Sequence, residues 1–194
     1  MEPVPRPEWA SPLAVGVHVE SFYSAMSEQL SREVLEALRG DAPLLAFLER
    51  HPLGRLEFSG RLPGAHWFGT FDALTRELIV NSVRSADTYG QEFFPPELAA
   101  VSSAGSSLAE PMQRSLYHEL GHYVFDSAGP ETEHQVLRLL RSGRAMPISR
   151  RAWKGPAEYF CEGFAAYRFE DSLADRDPEG YDMVEAIRRM VLRK

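Results

Sequence analysis

Two imidazoles and a carboxylate stand at the spacing His-Glu-x-x-His in Tyr117-His118-Glu119-Leu120-Gly121-His122-Tyr123. On a helix, residues four apart lie one above the other on the same face. His118 and His122 can then present two neutral nitrogens to one metal, with Glu119 beside them. Zn²⁺ suits that donor pair, and the adjacent carboxylate is the base that takes a proton from zinc-activated water. The chemistry this implies is hydrolysis. It needs a helix to carry the motif, a third ligand and a cleft.

Catalytic zinc takes three protein ligands and keeps one position open. The longer metzincin pattern is broken, because its Gly and third His positions hold Phe125 and Ala128. The remaining candidates downstream are Asp126, Glu131, Glu133, His134, Glu158 and Glu162. Asp126 lies one turn past His122, where the same helix can hardly bring it to the same metal. His134 follows a break in the chain and can in principle swing back. Glu158 and Glu162 are four apart on a predicted helix, among Cys161, Gly163, Ala165 and Ala166. Carboxylates on a face that otherwise reads as buried need a cation or donors. The favoured assignment makes Glu158 the third ligand and places Glu162 behind it, accepting a hydrogen bond from an imidazole N–H. Glu162 as the ligand, one of the other donors, or two ordinary solvated glutamates are the alternatives.

Taken together, His118-Glu-Leu-Gly-His122 and Glu158-Tyr-Phe-Cys-Glu162-Gly-Phe164 resemble the gluzincin-type zinc metallopeptidases. The resemblance is to the group that includes the catalytic domain of anthrax lethal factor and related phage and bacterial domains, and it covers roughly residues 110–170. It implies His118, His122 and Glu158 as zinc ligands and Glu119 as general base. That family carries an oxyanion-stabilising tyrosine a few residues ahead of the ligating Glu. The matching position here is Arg151, in Ser149-Arg150-Arg151-Ala152. A cation can stabilise developing negative charge there; the change equally fits weakened catalysis or a different substrate. Tyr123, Tyr159 and Tyr167 are the other phenols nearby, the first two expected in the core.

The elements that must position these residues are also legible. A helical pattern runs from about Ala14 to Arg39, clearest at Leu30, Val34 and Leu38, and Gly40 stops it. Asp41 can cap a short second helix with Pro43 in its first turn and Leu44, Leu45 and Leu48 buried. Strands are expected at 56–58, 66–71 and 77–81, the latter two joined by a hairpin loop at 72–76. An exposed edge of such a sheet can pair with an extended peptide. His18, His51 and His66 read as structural or surface residues. A loop crosses 84–108, and Ser107-Leu108-Ala109-Glu110 has capping-box spacing ahead of the motif helix. Met112, Leu116, Leu120 and Val124 form that helix's apolar stripe. Acidic residues at Glu131 and Glu133 and basic ones at Arg138 and Arg141 bracket a further helix that Gly143 ends. Pro156 opens the helix of Glu158, and Asp177-Pro178 starts a terminal one.

With 194 residues, 44% hydrophobic and 25% charged, the chain has the composition of an ordinary globular protein. A net charge of −7 argues against a nucleic-acid partner. Cys161 is the single cysteine, so no intrachain disulfide can form. The N-terminus lacks the apolar core of a secretory signal, and no apolar run suits a membrane span. Cytoplasmic location, or export without a Sec signal peptide, is expected. Positive charge is nearly all Arg, with only Lys154 and Lys194, which suggests a GC-rich bacterial genome. The reading is α+β: a flexible Pro-rich arm over 1–12, then one zincin-like domain over 13–194. Its small sheet and active-site helix form one lobe, and helices form the other. The expected activity is zinc-dependent hydrolysis of a protein or peptide substrate, with no membrane partner. The alternative is a catalytically weakened zincin that binds or regulates.

Overall fold

Alternating and β-branched runs supply a small sheet, and longer amphipathic runs supply the helices that cover it. The computed structural model describes residues 17–19, 35–59, 69–81, 109–170 and 172–192. In chain order the strands are β1 (Val17–Val19), β2 (Arg55–Ser59), β3 (Gly69–Asp72) and β4 (Glu77–Asn81). Helix α1 (Ala42–Arg50) precedes β2; α2 (Ala109–Ala128), α3 (Pro130–Arg141), α4 (Pro156–Phe169), α5 (Leu173–Arg176) and α6 (Pro178–Leu192) follow β4. The class is α+β.

The sheet order is β1-β2-β4-β3, with β1 and β4 each parallel to β2 and β3 antiparallel to β4. Leu56, Leu78 and Phe71 share one register row, and Val80 and Gly69 share another. This face lies under α2, which packs on β3, β4 and α4. Leu56, Leu78 and Val80 are fully buried there, as are Leu116, Leu120 and Val124 on α2.

The hairpin between β3 and β4 forms as expected. Asp72 Oδ1 accepts from Leu74 N at 2.8 Å and Thr75 N at 3.1 Å, and Arg76 takes a positive φ of 55° to close the turn. Asp41 caps α1 through Leu44 N, and the buried face is Leu44, Phe47 and Leu48, with Leu45 half-buried. The charges at the ends of α3 match its dipole.

One expectation fails. A helix was expected from Ala14, but Val17-His18-Val19 is a strand paired in parallel with Leu56–Phe58. Helical geometry is described in this segment only at 35–39. Two β-branched residues around one polar residue satisfy a strand as well as a helix, and the partner that decides lies far along the chain. The expected arm at 1–12, the strand residues 66–68, the loop 84–108 and the capping residues Ser107 and Leu108 lie outside the described residues. Among the described residues, no helix is long and apolar enough to cross a membrane.

Candidate metal centre

The crossing of α2 over α4 builds the site. Gly121, inside the His-Glu-x-x-His motif, faces α4 so closely that a Cβ there would lie 3.0 Å from Cys161 Cα and 3.3 Å from its Sγ. The small residue lets the two backbones approach, and that approach brings Glu158 and Glu162 up to the histidines. Tyr117 and Tyr123 flank the motif and anchor it in the core. Tyr117 packs edge-on against Phe169, and Tyr123 packs against Phe47 and Phe71.

His118 is buried between two carboxylates. Its Nδ1 lies 2.8 Å from Glu162 Oε1, and its Nε2 lies 3.3 Å from Glu158 Oε2. Glu158 Oε1 lies 3.9 Å from His122 Nε2. The structure thus gathers His118, His122, Glu158 and Glu162, with Glu119 adjacent and 2% exposed. Arg151 joins them, its Nε donating to Glu158 Oε2 at 2.7 Å. Asp126, Glu131, Glu133 and His134 are exposed and belong to neither of the donor clusters among the described residues. His51 is exposed and stacks on Phe47, while nothing is described of the side chains of His18 and His66.

One observation tests whether these residues suit a metal. Despite the short distances, His118 Nδ1, His118 Nε2 and Glu162 Oε1 are buried without an aligned hydrogen-bond partner among the described residues. Buried polar atoms are normally satisfied, so these atoms have room for a partner that the described residues do not supply, and a cation is one group that would satisfy them. Two nitrogens and a carboxylate oxygen are a donor set that fits Zn²⁺.

Electrostatics divide the roles. Burial alone would strip the proton from His118, but Glu162, Glu158 and Glu119 outweigh it and push the imidazole up to about 9. Burial and the charge of His118 bring His122 down to about 4. Burial raises the carboxyl of Glu158, yet contact with His118 and the charge of Arg151 hold it down at about 2. Burial pushes Glu119 above the ordinary carboxylate range, with His118 and Arg151 pulling against it. A raised carboxylate suits a general base that works near neutral pH.

Two nearby residues were not singled out from the sequence. Gly69, at the start of β3, sits against Glu119: a Cβ there would lie 2.6 Å from Glu119 Cγ and 2.9 Å from Oε1. A glycine inside a strand is the available signal for such an approach. Cys161 forms a donor cluster with His118 and His122, all within 4.8 Å of one another. Its thiol is fully buried, and burial pushes it well up, so it stays protonated in the metal-free chain.

The phenols are engaged elsewhere. Tyr159 Oη donates to Asp177 Oδ2 at 2.5 Å, Tyr123 Oη donates to the His51 carbonyl at 3.1 Å, and Tyr167 stacks on Tyr181. Compared with protein-family models, the chain matches none. Comparison with curated proteins returns no match either.

Proposed function

We propose that the chain is a zinc metallopeptidase of the gluzincin type with a zincin-like fold, acting on a protein or peptide substrate. The observation that carries this is the buried, unpartnered Nε2 of His118, which faces the Glu158 carboxylate beside His122. His118, His122 and Glu158 would hold the zinc. Bound there, zinc supplies a Lewis acid that polarises a peptide carbonyl and makes water acidic. Glu119 takes the proton of the attacking water and passes it to the leaving amine. Glu162, 2.8 Å from the far nitrogen of His118, would orient the ring once that nitrogen donates to it. Strand β3, at the edge of the sheet among the described strands, begins beside Glu119 and offers an extended substrate a backbone to pair with.

Purified protein is expected to hold about one zinc per chain, as catalytic sites of this kind do. His118→Ala and His122→Ala should each remove it, as read by elemental analysis. Unchanged metal content in both variants overturns the site assignment. Zinc affinity should also depend on pH. Below about 9, His118 carries a proton that must leave before its nitrogen can ligate, whereas His122 and Glu158 are already deprotonated near neutrality. One proton released per metal bound makes affinity rise about tenfold per pH unit between about pH 6 and 8. Competition with a chromophoric chelator across that range measures the slope, and a flat profile contradicts the assignment.

A second reading is a weakened zincin that binds or regulates a partner. It is favoured by the hydrogen bonds of Tyr123 and Tyr159 to groups elsewhere, by the stacking of Tyr167 on Tyr181, and by the bond that turns Arg151 toward Glu158. Zinc uptake with no cleavage of any peptide library would favour it.

A further inference from the structure

Arg151 stands where a residue that meets the oxyanion would be looked for, yet its nearest donor is spent on Glu158. Nε lies 2.7 Å from Glu158 Oε2, the same oxygen that lies 3.3 Å from His118 Nε2. The other oxygen, Oε1, is the one nearer His122. A charge-assisted N–H bond to one oxygen restricts the rotation of the carboxylate and leaves the other oxygen on the side of His122.

The backbone behind Arg151 is itself held. Arg151 leads into a single turn of 3₁₀ helix, Ala152–Lys154. Ala152 N donates to Ser149 Oγ at 3.1 Å, and Lys154 N donates to the Arg151 carbonyl at 2.9 Å. Ala152 is fully buried, and this turn packs on α4. Glu158 sits in the first turn of α4, where its long side chain is 24% exposed and reaches past Arg151 to the two imidazoles.

Resting on the zinc reading above, we propose that Arg151 is a positioning residue: it fixes the Glu158 carboxylate toward the two imidazoles and so sets the strength of metal binding. It acts through Glu158 instead of touching the reacting atoms.

The sign of one measurement separates this role from that of a bystander charge. A cation close to a divalent metal repels it, so deleting a mere neighbouring charge strengthens zinc binding. Deleting the residue that holds a ligand weakens it, by roughly 10–100-fold when the partner of a ligand is lost. The experiment is chelator competition for zinc on the intact chain, with folding of each variant checked by circular dichroism. Arg151→Ala should bind about tenfold or more weakly, and Arg151→Lys should recover part of the loss. Arg150→Ala, which removes the same charge from the exposed neighbour, should leave affinity unchanged. Glu158→Gln combined with Arg151→Ala should bind no more weakly than Glu158→Gln alone, because the arginine then has nothing left to hold. If Arg151→Ala does not fold, Arg151→Lys and Arg151→Gln carry the comparison. Zinc binding in Arg151→Ala, or in Arg151→Gln where it stands in, equal to or tighter than wild type overturns the proposal, as does an additive loss in the double variant. A wild-type chain that takes up no zinc instead overturns the underlying metallopeptidase reading.

Discussion

Glu119→Gln is expected to lower peptide hydrolysis by about 10²–10⁴-fold or more, while zinc content stays at the wild-type level. The substitution keeps the shape of a side chain packed against Gly69 and removes only its ability to take a proton. Zinc is retained because the three proposed ligands, His118, His122 and Glu158, are untouched. Stability should hold or rise. Burial raises the Glu119 carboxyl above its ordinary value. A carboxyl raised in this way stabilises the fold at low pH, and that contribution is lost as pH rises through and above the usual carboxylate range. Burial therefore works against the charged form of this group, a cost that glutamine does not carry. Comparing newly formed N-termini in a proteome treated with wild type or variant reads the activity, and thermal unfolding reads the stability. Identical cleavage by the two proteins removes Glu119 from the mechanism.

The second large effect lies away from the site. Asp41 is 4% exposed and accepts from Arg188 Nη2 through both carboxylate oxygens, at 2.9 and 2.8 Å. The guanidinium lies over the rings of Phe164 and Tyr167 and is itself largely buried. Asp41→Ala leaves that cation without its counter-ion and also uncaps α1. The expected cost is about 3–5 kcal/mol, lowering Tm by roughly 10 °C. Asp41→Asn separates the two contributions, since asparagine caps a helix as well as aspartate but cannot pair the charge. Replacing both partners, Asp41→Ala with Arg188→Met, should recover most of the loss, because no buried charge then remains. Denaturant titration reads all three variants. If Asp41→Ala is as stable as wild type, the pair does not hold α6 to the start of α1.

What could be read from the sequence was what is local. The spacing of His118 and His122 is a property of one helix, so their shared face follows from the 3.6-residue period. Asp41 with Pro43, and the turn closed by Asp72, likewise announce themselves within a few residues, because caps and turns are satisfied by their own neighbours. The charges that bracket α3 act over a single turn. Val17–Val19 shows the limit. Its residues suit either periodicity, and its strand identity comes from pairing with Leu56–Phe58.

The site itself divides along the same line. Sequence alone favoured Glu158 as the ligand with Glu162 behind it, and did not say which histidine or which nitrogen each would meet. The crossing of α2 and α4, set by the fit of Gly121 against Cys161, puts Glu158 at Nε2 of His118 and Glu162 at Nδ1. No residue type encodes that choice; it is the product of how the two helices pack along their shared face. The same holds for Arg151. Its charge and its place ahead of α4 were plain from the chain, and they suggested a cation waiting for an oxyanion. Its bond to Glu158 depends on how the turn at 152–154 lies on the helix, which only tertiary packing decides. Local geometry dictated that two histidines and a base would share one face. Long-range packing decided which carboxylate faces them, and the lie of the short turn ahead of α4 decided what holds it there.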